Sequence, residues 1–129
     1  METSQREEIA RSSLLKLRPR DFQKGVRAYR AENYALAHRL LLMFAVEGDA
    51  EAQTMIGSIY QLGLGGFQAN ENEASKWYLL ASEKGNGLAS NNLGTMALLR
   101  GNREEARRYF QTSRNQGFLH TPLVLAKSS

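Results

Sequence analysis

The chain has 129 residues, 42% of them hydrophobic and 23% charged, enough for one domain that buries roughly two thirds of the surface its unfolded chain exposes. It holds no cysteine and only two histidines, His38 and His120, which excludes disulfides, thiolate nucleophiles and cysteine-bound or histidine-rich metal sites, so neither metal nor cofactor is expected. The net charge of +4 sits in residues 1–30, where eight Lys or Arg face four acids; beyond them the signs balance, nine against nine.

Residues 1–21 read as a basic amino-terminal arm or an extra helix. An arm of this kind is ordinarily solvated; the alternative is a tether to nucleic acid or to an anionic membrane. A helix over residues 5–17 would present only the thin stripe Ile9, Leu14, Leu15 and Leu17. Charges run throughout Met1 to Arg20, with no apolar core of a secretory signal, and nowhere does an apolar run approach the ~20 residues needed to span a bilayer. A cytoplasmic location is therefore expected.

From residue 22 onward the pattern is helical and repetitive. The two prolines, Pro19 and Pro122, lie near the ends, and the stretch between them is rich in Ala, Leu, Glu, Arg and Gln. Helices are predicted at 22–31, 34–46, 50–62, 71–84, 87–99, 103–116 and 119–127. Apolar and small residues recur every three or four positions, as at Ala52, Met55, Ile56, Ile59 and Tyr60 and again at Ala74, Trp77, Tyr78 and Ala81. The breaks fall at Gly48-Asp49, Gly63 to Gly66, Gly85-Asn86-Gly87, Gly101-Asn102 and Gly117, residues suited to ending a helix in a left-handed turn.

A fixed period underlies this order. Gly48-Asp49-Ala50-Glu51-Ala52-Gln53 and Ile56-Gly57 recur 37 positions on as Gly85-Asn86-Gly87-Leu88-Ala89-Ser90 and Leu93-Gly94; Ala74, Trp77, Tyr78 and Gly85 recur after 32 as Ala106, Tyr109, Phe110 and Gly117. The shortening falls in the connector, which is long at Leu62 to Asn70 and short at Leu98 to Asn102. The helices on either side keep register, as packed repeats must. Glycines inside predicted helices, Gly25, Gly57 and Gly94, each cost about 1 kcal/mol against alanine. Their placement predicts that Leu41, Tyr78 and Phe110 of the paired helices lie over them.

Residues Ala50, Ala52, Gln53, Ile56, Gly57, Tyr60, Gly63, Gly65, Ala74, Trp77, Tyr78, Ala81 and Gly85-Asn86 resemble the Sel-one-like repeat family, a branch of the tetratricopeptide-like superfamily. The resemblance runs over residues 22–127. Gly66 stands where that family usually has valine, Asn70 where it often has aspartate, and the third unit has the shorter connector. It implies an all-α fold, an α-solenoid of antiparallel helix pairs wound as a right-handed superhelix of about seven helices. Residues 22–129 would form three pairs and a carboxy-terminal capping helix.

No catalytic constellation accompanies the repeats, and no enzyme is expected. Gly63 to Gly66 lack the preceding strand and following Lys-Ser or Lys-Thr of a phosphate loop. Glu71, Glu73, Glu104 and Glu105 suit the first turns of helices, where negative charge offsets the helix dipole. His38 has no Ser, Asp or second His at a useful interval and reads as a surface or edge histidine.

The resemblance further implies that the first helix of each pair lines a concave groove. Counted from the glycine anchors, this selects Phe22, Val26, Tyr29 and Arg30, then Glu51, Thr54, Ser58, Gln61 and Leu62, then Leu88, Asn91, Thr95, Leu98 and Leu99. Tyr29, Arg30, Thr54, Ser58, Gln61, Asn91, Thr95 and Leu98 are the candidate partner-binding residues. They suit a peptide or helix of a protein partner, giving an adaptor, scaffold or chaperone-like module. A third possibility is self-association, with Leu119, Leu123 and Val124 of the last helix pairing with another copy.

Overall fold

The computed structural model of the chain describes residues 18–120, and these form six α-helices with no strand among them. They are α1 (Pro19–Arg30), α2 (Tyr34–Glu47), α3 (Ala50–Leu62), α4 (Glu71–Glu83), α5 (Gly87–Leu99) and α6 (Arg103–Asn115). Each packs chiefly on its neighbours in sequence, α1 on α2, α2 on α3 and so on to α6, which is the connectivity of a solenoid.

The boundaries follow from local chemistry. α2 to α6 all begin behind an Asn or Asp whose side-chain oxygen accepts the amide three residues on: Asn33 from Leu36, Asp49 from Ala52, Asn70 from Glu73, Asn86 from Ala89 and Asn102 from Glu105. Each such cap contributes about 1 kcal/mol. The turn before a cap is also shared. Asp49, Asn86 and Asn102 send their own amides back to Phe44, Ala81 and Ala97, with the residue between in the left-handed region, Gly48, Gly85 or Gly101. Asn33 does the same to Ala28, but there the left-handed residue is Glu32, at φ 63°.

α1 begins at Pro19, three residues before the position expected from the apolar pattern, because proline at a first helical position forfeits no helical hydrogen bond and already has the right φ. Of the seven helices expected, six are present among the described residues; the seventh, 119–127, lies outside them except for Leu119 and His120, which are in a turn. The possible helix over 5–17 and most of the basic arm also lie outside the described residues.

The mid-helix glycines sit where the helices of a pair come closest. A Cβ on Gly25 would lie 2.6 Å from Leu41 Cδ2, one on Gly57 2.6 Å from Tyr78 Cε1, and one on Gly94 2.7 Å from Phe110 Cδ1. Leu41, Tyr78 and Phe110 are themselves fully buried, so each pair is locked by one large side chain laid over a bare backbone. Around these locks run buried alanines, among them Ala37, Ala45, Ala52, Ala74, Ala81 and Ala89, which keep the successive helices close.

The long connector is not a loose loop. Gly63 ends α3 at φ 65°, Leu64 N–H donates to Ile59 O at 3.0 Å, and Asn70 N–H returns to Tyr60 O at 2.8 Å. Between these points Phe67 folds back over His38 of α2, with ring centroids 4.3 Å apart, while a Cβ on Gly65 would meet Tyr34 Cβ at 2.6 Å. His38 is therefore no simple surface histidine. It is half-buried, its Nε2 lies 3.0 Å from Tyr60 Oη, and burial lowers its pKa.

Candidate protein-binding face

The first helices of the pairs, α1, α3 and α5, begin at Pro19, Ala50 and Gly87. The glycine anchors from which the candidate positions are counted, Gly25, Gly57 and Gly94, lie inside these three helices. The side chains differ in how free they are.

Tyr78 Oη is a hub beside this face. It donates to Gln61 Oε1 at 2.6 Å and lies 3.2 Å from Ser58 Oγ. Burial pushes its pKa up to about 12, partly offset by the Ser58 contact, so it stays a neutral donor at any physiological pH. Ser58 and Gln61 of α3 are thus gathered around one hydroxyl carried by α4, whose pKa also registers Tyr29 of α1 and Asn92 of α5. Counting from the glycine anchors selects Tyr29, Ser58 and Gln61. It passes over Asn92, which lies one position beyond Asn91, and it gives no sign that Tyr78 reaches through to them.

Thr54 is only 4% exposed and spends its hydroxyl on Ala50 O at 2.9 Å, so it has little to present outward. Ser58 and Thr95 bond to the backbone carbonyls one turn back, Thr54 O and Asn91 O, both at 3.1 Å, but remain half-buried. Val26 is buried, whereas Arg30 is exposed. Asn91 is half-buried and its Oδ1 is shielded from solvent without a hydrogen-bond donor among the described residues. An amide oxygen in that condition is a buried, unsatisfied acceptor, which an incoming N–H reaches only if the side chain turns outward.

Large apolar side chains are exposed beside these groups. Leu62, Leu88, Leu98 and Leu99 are 64%, 44%, 40% and 77% exposed, and all four occupy positions assigned to the face. Elsewhere the exposed apolars among the described residues are Val46, Leu79 and Leu80 on second helices and Leu119 after α6. The face therefore combines contact area with hydrogen-bonding groups, the composition of a surface that takes up protein segments.

The glutamates behave as helix-start residues. Glu71 and Glu73 lie in the first turn of α4, Glu104 and Glu105 in that of α6, and Glu104 pairs with Arg107 at 2.7 Å on the surface, which holds its pKa below the usual range. Among the described residues no group of three or more His, Asp or Glu side chains could hold a metal ion, and no helix is long and apolar enough to cross a membrane.

Comparison with known proteins agrees with the repeat geometry. The family model described as Sel1 repeat matches the chain twice, over residues 50–86 and 87–118, together more than half its length. The first match spans α3 and α4 and the second α5 and α6; the α1 and α2 pair lies outside both yet has the same glycine lock. A search of curated proteins found no match.

Proposed function

The chain belongs to the Sel1 repeat family, whose repeats are in general non-catalytic modules of protein–protein interaction, and from that premise we propose that it binds an extended peptide or a helix of a partner protein along the face of α1, α3 and α5. The observation that carries the reading is the exposure of Leu62, Leu88, Leu98 and Leu99 beside the half-buried polar side chains of Ser58, Gln61, Asn91 and Thr95. Apolar side chains of a partner laid on Leu98 and Leu99, with its backbone groups bonded to the polar side chains of the face, would use both. Tyr29 and Arg30 extend the surface over α1, while Ser58 and Gln61, held in place by Tyr78, form its rigid middle. Such preorganisation lowers the entropy lost on binding. Thr54 belongs to the scaffold of the face more than to its contact layer.

The test is the affinity of a captured partner for the wild-type chain and for Asn91→Ala combined with Thr95→Ala. Loss of one or two interface hydrogen bonds from these side chains, about 1–3 kcal/mol, weakens binding roughly tenfold. Unchanged affinity places the partner elsewhere.

A second reading, self-assembly at the carboxy-terminal end, draws on the exposure of Leu99 and Leu119, 77% and 83%. A concentration series in light scattering separates the two: a monomer throughout removes self-assembly and leaves the groove. The remaining alternative, a tether to nucleic acid or anionic membrane through the amino-terminal arm, concerns residues largely outside those described. A steep salt dependence of phosphate binding would be its signature.

A further inference from the structure

Superposing the repeat register on α1 reveals a substitution of kind. With Gly25 aligned to Gly57 and Gly94, Lys24 and Arg27 fall where α3 has Ile56 and Ile59 and α5 has Leu93 and Met96. Those four apolar side chains are at most 3% exposed. Ile56 is buried in one cluster with Leu41 and Ala45 of α2, and Leu93 and Met96 in another with Tyr78 and Ala81 of α4, so this helical face is the one that grips the preceding pair. On α1 it carries exposed cations instead.

Among the described residues, the same end of α2 is uncovered. Leu40 is the counterpart of Trp77, which packs into the cluster of the pair before it. Leu40 and Leu36 are only half-buried and, with Ala28 and Ala31, floor a depression of about 600 Å³ rimmed by Lys24, Arg27 and Arg39. None of these three cations forms an ion pair with a described residue.

An apolar floor inside a cationic rim selects its occupant. A bare phosphate backbone would answer the rim and leave the leucines unused. Another copy stacked through its α6, which has four arginines against two glutamates, would set those arginines near three further cations, and like charges brought together oppose association. An amphipathic helix with acidic residues beside its apolar stripe answers both features.

We propose that the end of the stack formed by α1 and α2 is a second docking surface, which receives an amphipathic helix of a partner protein carrying acidic side chains along the edges of its apolar stripe. Lys24 and Arg27, one turn apart on α1, meet acids on one edge; Arg39 meets the other. Leu36 and Leu40 take the apolar stripe. Where a further repeat would bring its own apolar residues, the two α1 cations replace non-selective stacking with a charge requirement.

The experiment uses the full chain and a labelled synthetic helix with leucines on one face flanked by glutamates, read by fluorescence anisotropy, beside a version with lysine in place of each glutamate. Wild type is expected to bind the glutamate-flanked helix, with affinity that falls as salt is added. Lys24→Glu combined with Arg27→Glu is expected to weaken that binding about tenfold and to strengthen binding of the lysine-flanked helix, with melting unchanged because both side chains are exposed. Asn91→Ala with Thr95→Ala is expected to leave it unaltered, which separates this surface from the groove. The proposal is overturned by absence of binding to wild type, by equal affinity of the charge-reversed variant, by loss in the Asn91 and Thr95 variant, by tighter binding of duplex DNA at the same residues, or by cross-links from residues 1–17 to α1 in the free chain.

Discussion

Gly57→Ala probes the lock between α3 and α4. In an unencumbered helix this change stabilises by about 1 kcal/mol. Here the new methyl would lie 2.6 Å from Tyr78 Cε1 and 2.7 Å from Cδ1, so the ring must retreat by roughly 0.8 Å to reach ordinary contact at 3.4 Å. Tyr78 has nowhere to go: it is 0% exposed and its hydroxyl is tied to Gln61 and Ser58. Overpacking a well-filled interior costs about 1–3 kcal/mol, and a strained or broken Tyr78 hydrogen bond about 1 more. The balance is a net loss of about 2 kcal/mol, or a fall in Tm of roughly 8 °C for a domain of this size. Thermal unfolding followed by circular dichroism measures it, and a double-mutant cycle with Tyr78→Ala assigns the cause. With the ring removed, alanine at 57 should no longer destabilise, giving a coupling of about 1–3 kcal/mol. A Gly57→Ala chain that melts at or above the wild-type temperature would refute the close approach.

Three other perturbations test separate parts of the structure. Glu32→Gly, at the left-handed turn where the equivalent residues are Gly48, Gly85 and Gly101, should raise stability by about 0.5 kcal/mol in urea unfolding, since removal of a strained Cβ outweighs the added freedom of the unfolded chain. Gln116→Ala removes one of the acceptors of the buried Ser90 hydroxyl and the Nε2 donor to Ser82 O, at 2.6 and 3.0 Å, and should cost about 1–2 kcal/mol, since Ser90 keeps Ser82 Oγ and Asn86 O; adding Ser90→Gln should recover part of it, because Gln53, the counterpart of Ser90, makes the equivalent bond to Ala45 O. For His38, whose pKa burial lowers below 6.5, the unfolded chain takes up a proton more readily than the folded one. Its contribution is therefore present above pH 6.5 and is lost as the pH falls through the folded-state value; His38→Gln should flatten that part of a stability–pH curve.

The features readable in the sequence are those that recur. The offsets of 37 and 32 placed the helix pairs, and the position of Gly25, Gly57 and Gly94 within each unit foretold what lies over them. Both depend on local pattern repeated in register. Contacts between units were harder to see. Gln116 fills in for the missing long side chain at Ser90 across 26 residues, and no local pattern marks that exchange. His38 and Phe67 meet because the long connector folds back on α2, a path set by left-handed glycines whose direction composition does not reveal. The start of α1 was misplaced because Pro19 reads as a helix breaker until its place in the first turn is known. At the candidate face, helix counting placed side chains at the surface but could not separate buried Thr54 from half-buried Ser58, a difference set by the neighbouring helix.

Photo-cross-linking to a bound partner tests the binding face most directly. A photoreactive residue at Leu98 on α5 and one at Leu79 on α4 start from nearly equal exposure, 40% and 41%, so a difference in yield reports location and not accessibility. Docking along α1, α3 and α5 predicts strong cross-linking from Leu98 and little from Leu79; the reverse order, or equal yields, would contradict it.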